Sequence, residues 1–288
     1  MQSFPRDRSS FLCCNRYLQN FAACDRLPDG LDNLCDGDIK KVSNYREGMT
    51  PDQADGFLQR MGFFDSKGSV IRHHKWSRSL ISEDEMVTLG SHFNGQYKDS
   101  EEILLNLSAQ EKYFEIIHST KYDLFRQELI WLDAALPEEL LVADLGCNTG
   151  HITNILSHVR PKSRFIGYDR LPKAIDKANA LKSLFNNEKI TFEVFDVFNV
   201  SVSPKPDLLL SLQGIGYGLL SKPHAEAVCR IADQEAFLIL IEKFSDEELA
   251  TVTSNLSACR FNLLGKDSLK VKSIYLTGTI TALVYKRN

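Results

Sequence analysis

The sequence predicts an α/β protein: a mostly parallel sheet with an antiparallel last strand over residues 138–288, and an N-terminal helical cap over residues 1–137. Three observations support this. From about residue 138, short apolar runs alternate with amphipathic stretches at helical spacing, as in successive βαβ units with a parallel sheet covered on both faces. The last two strand-like stretches are joined too closely for a helical crossover, so they pair antiparallel. The first 137 residues carry helix starts instead, without repeats or low-complexity tracts.

In the cap, Thr50-Pro51-Asp52-Gln53 opens a helix with Ala54, Phe57, Leu58 and Met61 on one face. Ser82 with Glu85, and Ser108 with Glu111, have capping-box spacing. "EKYFEIIHSTKYDLFRQELIWLDAAL" (111–136) is one long helix or two short ones ending at Pro137, and this last segment is expected to pack onto the sheet. In the second part, "LLVADLGC" (140–147) is a buried strand. "GHITNILSHV" follows with Ile152, Ile155, Leu156 and Val159 at helical spacing. "SRFIGYDR" (163–170) is a strand, and "PKAIDKANALKSLF" a helix with Ala174, Ile175, Ala178, Leu181 and Phe185 on one stripe. Strands "KITFEVFDVF" (189–198) and "PDLLLSLQG" (206–214), helix "KPHAEAVCRIAD" (222–233) and strand "EAFLILIEKF" (235–244) come next. Ser245 and Glu248 cap a further helix. "RFNLLGKDSLKV" and "SIYLTGTITALVYK" are the closing strands.

Composition is that of a globular protein with a real core, 43% apolar and 25% charged. The longest apolar run, "AFLILI" (236–241), is far short of a membrane span, and "MQSFPRDRSS" lacks the apolar centre of a secretory signal. A cytoplasmic location with no membrane contact is the expectation. The seven cysteines show no CxxC pair or metal-finger spacing, so reduced thiols are expected, no metal is assigned, and the crowding of Cys13, Cys14, Cys24 and Cys35 has no assigned purpose. Residues 1–139 carry 16 Lys+Arg against 23 Asp+Glu, or −7, and the remainder 18 against 15, or +3. An acidic first half argues against a nucleic-acid partner.

The chemistry centres on "VADLGCNTGH" (142–151). In an open α/β sheet, ligands bind beyond the carboxyl ends of the strands, and this glycine loop stands at such an end. Gly146 and Gly150 allow a close backbone approach and a tight turn. Asp169 closes the second strand and Asp196 lies near the end of the third, so three successive strands bring Asp144, Asp169 and Asp196 to one sheet edge. An acid in the second position can accept both hydroxyls of a ribose. One in the third can take a hydrogen bond from an adenine amino group, with the NH of Val197 facing a ring nitrogen.

"DLGCNTG", the acids of "GYDR" and "VFDVF", and the closing antiparallel hairpin resemble the class I S-adenosylmethionine-dependent methyltransferases, over about residues 138–287. The resemblance implies a Rossmann-like fold and S-adenosylmethionine as cofactor. It implies that Gly146, Cys147 and Asn148, with Gly150 closing the loop, face the methionine part, and that Asp169, with Arg170 beside it, holds the ribose. By the same likeness Asp196 and Val197 hold the adenine, and Leu212 and Gln213 line the methyl-donor side. The loop has Asn148 where the family most often has glycine. A nicotinamide-dinucleotide domain is the nearest competitor, but its G-x-G-x-x-G is absent.

Fold does not fix the methyl acceptor. Candidates for its handling are Gln213 and Tyr217 after the fourth strand, and His74, His118, Lys121 and Tyr122 in the cap. His73 and His224 are further imidazoles. A histidine could act as general base, and Tyr113 or Tyr122 could shield the sulfonium, although each is as readily a surface or packing residue. Lys121 and Lys243 fall near two lysines of the ribose 2′-O-methyltransferase tetrad, whose acids have no counterpart here. The reading is therefore an enzyme that methylates an oxygen or nitrogen of a small molecule enclosed under the cap. The alternatives are an RNA ribose methyltransferase, transfer or cyclisation of the aminocarboxypropyl arm, and an inactive cofactor-binding subunit.

Overall fold

The computed structural model describes residues 48–87, 107, 109–186, 188–198, 204–274 and 277–288. The early cysteines and Ser108 lie outside them. Among the described residues, the helices α1 (Pro51–Arg60), α2 (Val70–Ser77), α3 (Glu111–Ser119) and α4 (Tyr122–Ala135) precede the sheet. The α1 start is the expected one, since Thr50 and Gln53 satisfy each other's backbone amides as a capping box. Ser82 and Glu85 exchange the same pair of bonds, at 3.4 and 2.8 Å.

The segment 111–136 is two helices, not one, and the break has a local cause. Ser119 Oγ donates to Glu115 O at 2.5 Å and Thr120 Oγ1 to Ile117 O at 2.6 Å. Hydroxyls that bond the preceding turn compete with the helix ladder. Thr120 O instead accepts from Ile274 N at 3.1 Å, so the break is tied to the far end of the chain.

The remaining elements alternate: β1 (Leu141–Leu145), α5 (His151–Val159), β2 (Arg164–Asp169), α6 (Pro172–Lys182), β3 (Ile190–Val194), β4 (Leu208–Leu212), α7 (Lys222–Ile231), β5 (Phe237–Glu242), α8 (Asp246–Ala258), β6 (Phe261–Lys272) and β7 (Thr277–Arg287). The sheet order is β3-β2-β1-β4-β5-β7-β6. The first five strands are parallel, and β7 runs antiparallel to both β5 and β6, inserted between them. Chain direction across the sheet reverses between β1 and β4, which opens the crevice where ligands of such folds lie.

Side chains alternate faces along each strand. Val142, Leu208, Leu210, Ile239 and Ile241 face α1, α4, α5 and α6 in one apolar core. Ala143, Leu145, Leu209, Leu238 and Leu240 face α7 and α8 in another. The first core is continuous with the pre-sheet helices, because Ala54, Leu58, Leu124, Leu129 and Leu132 belong to it. Polar ties reinforce α4 against β6. Trp131 Nε1 donates to Asp267 Oδ2 at 2.8 Å and Lys272 N to Asp123 Oδ2 at 2.6 Å.

β3 is shorter than expected, by the most of any strand. β3 stops at Val194, and residues 195–198 leave the sheet. Asp196 and Val197 therefore sit in a loop at the sheet edge, where a ligand can reach backbone as well as side chain.

Candidate functional site

β1 enters its loop through Gly146 at φ 76°, continues through Asn148 at φ 49°, and Gly150 at φ 62° starts α5. The loop is pinned from β2: Gly146 N and Cys147 N both donate to Tyr168 O, at 2.8 and 3.0 Å. The close approach that requires glycine is between two strand ends. A Cβ on Gly146 would stand 3.1 Å from Gly214 Cα, and one on Gly214 only 2.7 Å from Leu145 O. The ends of β1 and β4 thus touch at two glycines and form a floor.

Asp169 is fixed by two backbone donors, Asn148 N at 2.8 Å and Leu171 N at 2.9 Å. Burial still pushes its carboxyl above the ordinary value, against the lowering by those amides. Asp196 Oδ1 accepts from Phe198 N at 3.0 Å. Below them Asp144 is 2% exposed. Its Oδ2 accepts from the Thr153 hydroxyl, and its Oδ1 has no hydrogen-bond partner among the described residues. Desolvation raises Asp144 to about 7.

These groups line one cavity of about 630 Å3, a size suited to a small organic ligand. Asp144, Gly146, Cys147, Asn148, Asp169, Arg170, Asp196, Val197, Leu212 and Gln213 form its strand-end wall, and His118 and Lys121 reach it from α3 and the α3–α4 break. At the Asp196 end, Phe198 stacks on His224 with ring centroids 4.0 Å apart. The Cys147 thiol is buried and held well above its usual pKa by desolvation, so it packs as a neutral thiol.

The opposite end holds groups that the sequence alone did not single out. Glu128 of α4 is fully buried and lines the cavity. Its Oε1 accepts from Gln213 Nε2 at 2.8 Å, while Gln213 Oε1 accepts from Lys121 Nζ at 3.4 Å. Burial raises the Glu128 carboxyl to about 8, more than Gln213 and Lys121 lower it. His151, at the start of α5, lies with its ring 4.7 Å from that of His118, and both approach the Thr149 hydroxyl. Desolvation holds both imidazoles neutral, His118 well below its usual pKa and His151 at about 3. Phe63, Phe114 and Phe125 surround the pair.

Four expected site residues stand elsewhere. His74 is exposed on α2, away from the cavity. Tyr122 is buried, but its hydroxyl donates to Asp55 Oδ1 at 3.1 Å, toward α1. Tyr217 is 51% exposed and donates to Lys243 O at 2.5 Å, with its ring against Phe244. Gly150 lies beneath the loop, where a Cβ would meet the Phe192 ring at 2.4 Å, so its task is α5 packing. His73 bonds Ile116 O, and Lys243 is exposed outside the cavity, which leaves Lys121 without its tetrad companion.

Glu128 had a sequence signal. In "DLFRQELIWL" it falls on the stripe of Leu124, Phe125 and Leu132, and an acid on an apolar face requires a buried partner. His151 had a weaker one, as the residue directly after the glycine loop. No signal in the chain pairs position 128 with 213.

A family profile described as a methyltransferase domain matches residues 137–267. A malonyl-[acyl-carrier protein] O-methyltransferase of Acetivibrio thermocellus is 25% identical over 113 residues, 39% of each chain. The chain thus matches about two fifths of that relative's length. Among solved structures, the N-methyltransferase NodS of Bradyrhizobium japonicum with S-adenosylhomocysteine is similar at 15% identity, TM-score 0.47, covering 65% of this chain and 97% of that one. A S-adenosylmethionine-dependent methyltransferase of Aquifex aeolicus is similar at 16% identity, TM-score 0.47, covering 59% and 93%. The profile match begins just before β1 and runs into β6, so the glycine loop and both strand-end acids fall inside it. Residues 137–267 thus match a methyltransferase domain, whose cofactor is S-adenosylmethionine.

Proposed function

We propose that the protein methylates an oxygen or nitrogen of a small molecule, held between the sheet edge (residues 138–288) and the helical cap that precedes it. The observation that carries this reading is a single cavity lined from both sides, by the strand-end loops and by His118, Lys121, Phe125 and Glu128 of the preceding helices. Enclosure of that kind suits a small acceptor.

Asp169 would hold the ribose hydroxyls, and Asp196 with Val197 the adenine. Gly146, Cys147 and Asn148 would face the methionine part, with Leu212 and Gln213 at the donor side. One observation fits the cofactor to these residues: Asp144 Oδ1 and Asn148 Oδ1, of residues that line the cavity, are buried without partners among the described residues. Bound there, S-adenosylmethionine would supply an electrophilic methyl carbon. The protein's part is to align the acceptor, exclude water and remove a proton where one must go.

The test is calorimetry with S-adenosylhomocysteine. Asp169→Ala is expected to weaken binding at least tenfold, on the order of one charged hydrogen-bonding group, with the thermal transition retained. Unchanged affinity would place the nucleoside elsewhere.

A further inference from the structure

The buried end of the cavity carries an acid outside the cofactor contacts proposed above. Glu128 is 0% exposed, Gln213 occupies its Oε1, and Oε2 has no hydrogen-bond partner among the described residues. An unpartnered carboxyl oxygen sealed in a protein is costly unless a ligand or water completes it. Its position is built on purpose. Gln213 is a non-glycine residue at φ 52°, a conformation that costs free energy and persists where surrounding structure enforces it. That backbone aims one amide at Glu128 and Lys121 at once, and the ammonium on one side and the carboxyl on the other leave only one orientation for it.

The groups facing Glu128 come from three other elements. Asp144 on β1 and Glu242 on β5 are acids, and Lys121, before α4, is a cation bound to Gln213 rather than to Glu128. The neighbouring imidazoles, His118 and His151, are neutral. Once Glu128 and Asp144 ionise, acids outnumber the one cation at this end of the cavity, which then favours a positive charge over a carboxylate or phosphate.

We propose, building on the methyltransferase reading, that the acceptor is a primary or secondary amine, and that its ammonium pairs with Glu128 and gives its proton to Oε2. An ammonium has no lone pair to attack with, so it must first lose a proton. In the transfer the N–H bond breaks, an O–H bond forms, and the cation and carboxylate become a neutral amine and a neutral carboxyl. A low-dielectric site favours the neutral pair. The raised affinity of Glu128 for a proton suits it to this transfer near neutral pH. The proton returns to solvent after the product leaves.

The experiment compares two ligands of the same site in the full chain. S-adenosylhomocysteine has a neutral sulfur, whereas sinefungin carries an ammonium on carbon where the sulfonium methyl would be, pointing toward the acceptor. By calorimetry, wild-type protein is expected to bind sinefungin at least about tenfold tighter, as one charge-assisted hydrogen bond implies. The preference should grow between about pH 6 and 8.5 as Glu128 ionises. Glu128→Gln, close in shape and still able to bond Gln213, should remove the preference and leave S-adenosylhomocysteine within about twofold. Absence of the preference in wild-type protein overturns the proposal and needs no variant. Equal losses for both ligands in Glu128→Gln also overturn it, by assigning Glu128 to the methionine ammonium that they share. Failure of S-adenosylhomocysteine to bind at all would instead sink the methyltransferase reading.

Discussion

Glu128 and Asp144 make the free protein's stability depend on pH in a direction opposite to the usual carboxylate. Their folded-state pKa values, about 8 and about 7, lie above the ordinary range. Between roughly pH 4.5 and 8 the folded chain therefore binds more protons at these groups than the unfolded chain, so stability falls as pH rises. His118 and His151, held below their usual value, act the other way: stability rises as pH climbs toward about 6.5. Urea denaturation across pH is expected to show a maximum between about pH 5 and 6.5, and Glu128→Gln to flatten the alkaline side of it. A wild-type protein steadily more stable up to pH 8 would contradict the burial of these acids. Glu128 also marks what a residue-level reading can see. Its place on an apolar helical stripe was visible in the sequence, but the amide that meets it lies 85 residues away.

The β1 and β4 loops show the same division between elements. The glycine at position 146 lines the cavity, and in the fold it also approaches another glycine. Gly214→Ala would drive a Cβ to 2.7 Å from Leu145 O, a backbone atom that cannot rotate away. A destabilisation of about 1–3 kcal/mol is expected in urea melts, from steric overpacking, together with loss of S-adenosylhomocysteine binding in calorimetry. Gly56 is the internal control. It lies exposed in α1, and nothing stands within 4 Å of an added Cβ. Gly56→Ala is expected to stabilise by about 0.5–1 kcal/mol, through helix propensity and a less free unfolded chain. Element boundaries followed capping chemistry where the cap was local, at Thr50 and Ser245. At Thr120 the helix ends on hydroxyl bonds to its own preceding turn, and β3 stops at Val194, short of the expected strand.

Across the fold, the helices before the sheet and the sheet itself hold together through one core and a buried ion pair. Arg160, at the end of α5, meets Asp133 of α4 at 3.0 Å with side chains 5% and 4% exposed. Asp133 also accepts from Met49 N at 2.5 Å. Removing one member of a buried pair leaves the other charged and unpaired. Arg160→Ala is expected to cost about 3–5 kcal/mol in urea denaturation, and Asp133→Asn, which keeps an acceptor for Met49, less. If Arg160→Ala melted like wild type, α4 would not depend on this pair for its seat on the sheet.

Local and periodic information was enough for the alternating strands and helices, the glycine loop and its trailing acids, because each is set by neighbours within a few residues. The same information could name tyrosines 122 and 217 as candidates, yet not say that one hydroxyl turns toward Asp55 and the other toward Lys243 O. The three-dimensional packing chose those directions, and it brought a helix acid, a strand-end amide and two imidazoles to one buried space. Contacts between distant segments depend on how whole faces stack, and no spacing along a single chain records that.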